Sequence, residues 1–182
     1  MSDDGEKGFV FKITVIGNGA VGKTSLIKKY TSGSFQKDYI KTLGAQFSKY
    51  DEEIDGNNCK LFFWDIAGQE EFNFMRPTFY KGSKAAIIVF NQELTDHGKE
   101  SFESVKNWHD DITKFCGELP IVLFGNKVDL VDPDKINTAD PEKLVKDRGF
   151  LGYYKTSAKT GEGVYEAFQA IIKDLYNKFK DT

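Results

Sequence analysis

The sequence predicts an α/β domain: a six-stranded, mostly parallel sheet with one antiparallel edge strand and about five helices packed on both faces. Three observations carry this. Short apolar runs alternate with segments of helical periodicity along the 182 residues. A glycine-rich stretch, Gly17-Asn18-Gly19-Ala20-Val21-Gly22-Lys23-Thr24, joins the first apolar run to the first helical one. Asp55-Gly56-Asn57-Asn58 is a turn cluster between two strand-like runs, the pattern of a hairpin.

Taken in order, strands are expected near residues 10–16, 45–54, 59–65, 85–90, 120–125 and 152–156. The second and third pair antiparallel across the turn cluster, and the rest run parallel. A helix follows the glycine-rich stretch at 25–30. A second covers 102–116, where Phe102, Val105, Trp108, Ile112 and Phe115 recur at helical spacing, and a third covers 164–179 through Val164, Phe168, Ile171, Leu175 and Phe179. Trp108 and these phenylalanines read as core. The polar stretch 132–141, with two prolines, reads as a surface loop. His97 and His109 are isolated and match no metal or triad pattern, so a structural or solvent role is expected for both.

With 40% hydrophobic and 29% charged residues, the chain is of the ordinary globular class and long enough for one substantial core. Its net charge of −3 and pI near 5.5 give no reason to expect nucleic acid or an anionic membrane against the folded body. Cys59 and Cys116 stand alone without metal-ligand spacing, which points to inert thiols in a reducing, cytoplasmic compartment. Met1-Ser2-Asp3-Asp4-Gly5 has no apolar signal core and no glycine at position 2. No run approaches the length of a membrane span. The expected organisation is a flexible segment at 1–8, one domain at 9–180 and a tail at 181–182, with the domain monomeric.

The stretch 17–24 fits the phosphate-binding P-loop at every fixed position. Several backbone N–H groups must converge on a polyphosphate, so the loop needs glycines that tolerate close approach. Lys23 would reach the outer phosphates, Thr24 would offer its hydroxyl to Mg²⁺, and the helix opening at Gly22 would turn its positive end to the anion. This is the signature of a P-loop NTPase.

Which base is read depends on later residues. Asn126-Lys127-Val128-Asp129 follows Ile121-Val122-Leu123-Phe124-Gly125, at the carboxyl end of a buried strand where α/β sheets bind ligands. The Asp129 carboxylate can accept from both the N1–H and the exocyclic amine of guanine, a donor pair that adenine lacks on that edge. Leaving a buried polar group unpaired costs ~1–3 kcal/mol, so adenine should be rejected. Ser157-Ala158-Lys159 can supply a backbone N–H to the guanine carbonyl. Asp65-Ile66-Ala67-Gly68-Gln69 ends the third strand: Asp65 would hold Mg²⁺ through water, Gly68 would offer its N–H to the γ-phosphate, and Gln69 would orient the attacking water. Thr42, between the first helix and the second strand, could close onto Mg²⁺ and the γ-phosphate.

In these motifs and their order the chain resembles a small GTPase of the Ras superfamily, most similar to the Rab branch, from about Phe9 to Phe179. The resemblance implies that Gly19, Ala20, Val21, Gly22, Lys23, Thr24 and Ser25 wrap the phosphates. It also implies that Thr24 and Thr42 ligate Mg²⁺ directly, that Phe35 stacks on guanine and that Tyr39 covers the phosphates. Gln69, Lys23 and Thr42 are then the catalytic candidates. Switch regions are expected at about 35–45 and 67–81, ordered by the γ-phosphate and released on hydrolysis. The Rab likeness rests on Leu43-Gly44-Ala45-Gln46-Phe47, Lys60-Leu61-Phe62-Phe63-Trp64 and Phe79-Tyr80-Lys81-Gly82. It makes Phe47, Trp64 and Phe79 candidate effector contacts, with ordinary packing as the alternative role. Expected partners are an exchange factor, a GTPase-activating protein and effectors.

Four features depart from the pattern. Ile66 stands where Rab proteins usually carry threonine, Pro77 stiffens the second switch, and residues 91–100 run longer than in the family. The sequence given ends at Thr182 without a prenylatable cysteine, so a membrane role on the cytosolic face, as in vesicle traffic, would need a lipidated tail beyond it. The first switch holds no arginine, so slow hydrolysis accelerated by a partner's arginine is expected. Two alternatives stand beside the hydrolysing switch. One is a GTP-binding scaffold with negligible turnover and no membrane anchor. The other is a P-loop kinase, which lacks an arginine-rich lid pattern here.

Overall fold

The computed structural model describes residues 8–31, 39–40 and 44–182, with the backbone alone at 39–40. The sheet comprises β1 (Phe9–Ile16), β2 (Tyr39–Ile40), β3 (Ala45–Ile54), β4 (Asn57–Ile66), β5 (Ala85–Asn91), β6 (Ile121–Asn126) and β7 (Gly152–Lys155). Their order is β2-β3-β4-β1-β5-β6-β7. The six strands read from the sequence are present, and the two-residue β2 extends the antiparallel edge by pairing with Gln46 and Ala45. β3 and β4 form the expected hairpin. Its turn is tighter than the four-residue cluster suggested: Asp55 and Gly56 alone take positive φ, 51° and 78°, the two-residue turn whose twist matches the strands.

The helices are α1 (Lys23–Tyr30), α2 (Arg76–Tyr80), α3 (Asp96–Glu103), α4 (Val105–Cys116), α5 (Ala139–Arg148) and α6 (Val164–Phe179). Across Ser104 the i to i−4 bonds continue, Ser104 N to Glu100 O and Trp108 N to Ser104 O at 3.0 Å each, so α3 and α4 make one rod. The polar stretch 132–141 is a loop only in part, because α5 begins inside it. Pro141 falls in the first turn of that helix, where a missing N–H leaves no bond unmade, and Leu144 anchors the helix to the core.

Period-2 alternation in the central strands divides the core into two layers. Phe11, Ile13, Val15, Ile87, Val89, Val122 and Phe124 pack with α1 and α6, while Ile16, Ile88, Phe90, Ile121 and Leu123 pack with α2, α4 and α5. Ile66 lies in the second layer, 1% exposed, so the departure from threonine is absorbed as core. Both cysteines are free, and burial pushes both thiols above the usual range. Among the described residues no helix is long and apolar enough to cross a membrane.

Candidate functional site

The loop after β1 leaves the sheet where the strand order reverses, between β4 on one side and β5 on the other, the position at which open α/β sheets bind ligands. Gly22 enters α1 in the left-handed region at φ +99°, and a Cβ there would collide with the Asn126 amide. Only glycine meets both conditions. Lys23 follows, 7% exposed, its ammonium donating to the Gly17 and Asn18 carbonyls at 3.0 Å each. Burial draws its pKa below the lysine range; the Asp65 carboxylate opposes that shift and Arg76 adds to it.

Thr24 donates its hydroxyl to the Asp65 carboxylate. Asp65 is buried, and burial pushes its pKa up against the charge of Lys23 and the Thr24 bond. A hydroxyl and a buried carboxylate side by side are hard oxygen donors. That set suits Mg²⁺, which binds through one or two carboxylates and completes its shell with phosphate and water. Among the described residues no cluster of three or more His, Cys, Asp or Glu could hold a metal alone. These residues line a cavity of about 230 Å³ together with Gly19, Ala20, Gly68 and Gln69.

Gly68 rests on the loop so closely that a Cβ would collide with Gly17, Asn18 and Gly19 backbone atoms. Gln69 is exposed and caps the 3-10 turn Glu70–Met75. Arg76 holds this segment from beneath: its guanidinium lies 3.4 Å from the Gly68 carbonyl and 3.5 Å from that of Gln69, stacked 4.2 Å over the Trp108 ring. The other face of the site is organised by Asn126. Its amide donates to the Val21 carbonyl at 2.9 Å and accepts from the Thr156 hydroxyl at 3.1 Å and the Ala158 N–H at 3.2 Å. Asparagine is needed because the position must donate and accept at once. Asp129 is exposed and accepts from the Ser157 hydroxyl at 2.8 Å. Lys127 takes φ +68° and runs to within 3.9 Å of Glu93. Lys159 is exposed, as is Ser25.

Of the remaining expected positions, Phe35 and Thr42 lie outside the described residues, and Tyr39 is described through its backbone pairing alone. Phe47, Trp64 and Phe79 form a contiguous row, with ring centroids 5.5 and 5.8 Å apart. Two contacts escaped the sequence reading. Trp108, read as core, also donates its indole N–H to Asn18 of the loop at 2.9 Å. His97, read as structural or solvent-facing, sits 2.8 Å from the Gly19 carbonyl; the longer 91–100 stretch was its one visible signal.

A phosphate loop at the reversal point, a lysine, threonine and aspartate around one cavity and a carboxylate just after β6 define a P-loop nucleotide-binding domain. The sequence pattern of the Ras family matches residues 12–177. Ras-related protein Rab-21 of Bos taurus is 37% identical over 168 residues, covering 92% of this chain and 73% of that protein. The human Rab-21 is 36% identical over 170 residues, 93% and 73% of the two chains. Ras-related protein Rab-9A of Rattus norvegicus is 32% identical over 174 residues, 93% and 84%. The chain belongs to the Ras family, on its Rab branch: it is a small GTPase that binds GTP and GDP and hydrolyses GTP.

Proposed function

We propose that residues 9–180 form a guanine-nucleotide switch of the Rab type that holds GTP or GDP with Mg²⁺, hydrolyses GTP slowly, and changes its partner surface at about 35–45 and 67–81 as it does so. The observation that carries this reading is the set Lys23, Thr24, Asp65 and Gly68 around one cavity beside the loop 17–22. Thr24 and Asp65 would hold Mg²⁺, with Thr42 as a third candidate ligand, and the ion when bound would supply positive charge to the phosphates. The chain's own groups do the rest. Lys23 supplies a fixed positive charge in a dry position, where it acts more strongly than in water. Gly68 brings its N–H to the γ-phosphate, and Gln69 orients the attacking water. Asp129, braced by Ser157, reads guanine.

The chain's two arginines are otherwise engaged: Arg148 with Asp110 at 2.6 Å and Arg76 on Trp108. A GTPase-activating partner therefore supplies the arginine that neutralises the developing charge, with gains on the order of 10³–10⁵ in such systems. Phe47 and Trp64, half-buried, with Phe79 buried beside them, are the aromatic contacts offered to effectors. A role in membrane traffic, on the cytosolic face, would require a lipidated tail beyond Thr182.

Single-turnover GTP hydrolysis by wild-type protein and Gln69→Leu, with Mg²⁺ and with chelator, tests the reading. The switch predicts a measurable wild-type rate that chelator abolishes, and a Gln69→Leu rate lower by at least about tenfold with nucleotide binding retained. A scaffold predicts no hydrolysis in either.

A further inference from the structure

The loop 17–22 separates two cavities. On one side lies the space lined by Ala20, Lys23, Thr24 and Asp65. On the other lies a space of about 480 Å³ lined by Asn18, Arg76, His97, Trp108 and Asp111. Gly19 borders both. From the second side His97 reaches the Gly19 carbonyl with Nε2 at 2.8 Å, while its Nδ1 lies 3.0 Å from the Asn91 amide nitrogen.

These contacts assign the ring's tautomer. The Asn91 amide is itself oriented, because its oxygen accepts from the Glu93 N–H at 2.9 Å and its nitrogen donates to the Glu93 carboxylate at 3.1 Å. A donor thus faces Nδ1 and an acceptor faces Nε2, so the proton sits on Nε2 and points at Gly19. The ring is also held in place. Thr95 caps the first turn of α3 by accepting from the Gly98 N–H at 3.1 Å, and Ser101 ties that turn to the end of β5 by accepting from the Asn91 N–H at 2.9 Å.

In a planar trans peptide the carbonyl of one residue and the N–H of the next point in opposite directions. Holding the Gly19 carbonyl toward α3 turns the Ala20 N–H toward the phosphate cavity. Ala20 needs such a hold, because it takes φ +64°, in the left-handed region that a residue with a Cβ disfavours.

We propose that His97 is a positioning residue for the phosphate-binding loop: its Nε2–H fixes the Gly19–Ala20 peptide so that the Ala20 N–H is presented to the nucleotide's phosphates. This rests on the reading of residues 17–24 as the phosphate cradle. The sequence feature behind it is the longer 91–100 stretch, which contains the first turn of α3 and carries His97 to the loop.

The test uses the full chain with a fluorescent GDP analogue and three variants. His97→Phe keeps the ring and removes the donor, His97→Gln restores an amide donor at similar reach, and Lys99→Ala alters the same helix on its exposed side. His97→Phe should release the GDP analogue faster by the worth of one neutral hydrogen bond, about 2- to 12-fold. His97→Gln should recover most of that loss, and Lys99→Ala should match wild type. In ¹⁵N-labelled, GDP-bound protein the Ala20 amide resonance should move in His97→Phe and return in His97→Gln. Long-range ¹H–¹⁵N spectra of the wild type should find His97 protonated on Nε2, which needs no variant to fold. Wild-type release and an unmoved Ala20 resonance in His97→Phe, a His97→Gln no better than His97→Phe, or a proton on Nδ1 would each overturn the proposal. Failure of the wild type to hold GDP would instead overturn the cradle reading, and is seen before any variant is made.

Discussion

Arg76 stacks its guanidinium 4.2 Å over the ring of Trp108, and the same indole donates to Asn18 of the phosphate loop. One side chain thus supports the segment after Gln69 on its face and the loop on its edge. Trp108→Phe keeps a ring under Arg76 and removes the N–H. It should lower stability by about 0.5–1.5 kcal/mol for the lost bond. Trp108→Leu removes the stacked ring as well and should cost more, about 3 kcal/mol. Urea denaturation of both variants checks the order.

Asn126 bonds to three groups, Val21, Thr156 and Ala158, and so joins the phosphate loop to the loop after β7. Asn126→Ala should destabilise the domain by about 2–4 kcal/mol, from three bonds of ~1 kcal/mol each. Asn126→Asp keeps the acceptors and sets a carboxylate oxygen against the Val21 carbonyl. Nucleotide release should therefore be faster in Asn126→Asp than in the wild type, read in a displacement assay.

Asp65 carries a pKa raised by burial. Its folded form binds the proton more tightly than the unfolded chain, so its contribution favours folding at low pH and is lost as pH rises through the folded value. In the nucleotide-free protein at neutral pH the charged, buried carboxylate is therefore a burden. Asp65→Asn should raise the melting temperature of the nucleotide-free protein, with the difference shrinking on acidification, and should weaken Mg²⁺-dependent nucleotide retention. A nucleotide-free variant that melts below wild type at neutral pH would reverse the sign.

Gly19 and Gly68 border the same cavity and should respond oppositely. A Cβ at Gly19 meets nothing within 4 Å, whereas one at Gly68 collides with the loop backbone. Gly19→Val should fold with near wild-type stability and bind nucleotide; under the proposed function it should hydrolyse GTP more slowly, its side chain entering the cavity that Gln69 also lines. Gly68→Ala should lose stability itself, by about 1–3 kcal/mol. Thermal melts and single-turnover assays on both separate the two effects.

His109 packs edge-on against Phe150 and lies 3.3 Å from the Arg148 guanidinium. Burial and that charge hold its pKa below the ordinary 6.5. The native state then binds fewer protons than the unfolded chain just below 6.5, so this site's contribution to stability falls as pH falls through that window. His109→Gln should flatten that part of the stability profile, measured by chemical denaturation across the window.

How much of this was legible depended on whether the signal was local. The loop 17–24 needs consecutive residue types, so its chemistry can be read directly, and the alternating burial of β1, β5 and β6 follows from apolar runs. Asp129 and Asn126 were legible because a strand end places them together. His97 was not, since its partner Gly19 is 78 positions away and a lone histidine carries no spacing signature. Arg76 was missed for the same reason: nothing near it in sequence announces Trp108. The helix α5 was hidden by Pro141, which breaks helices in their interiors but fits their first turn. The strand β2 is too short for any periodicity.

Whether the site reads guanine through Asp129 is decided by the identity of the nucleotide that the protein retains. Chromatography of the nucleotide released when the purified chain is denatured should find GDP or GTP in the wild type. A preparation of Asp129→Ala loaded with equal guanine and adenine nucleotides should have lost the preference. Recovery of ADP or ATP from the wild type, or an unchanged guanine preference in Asp129→Ala, would contradict the account.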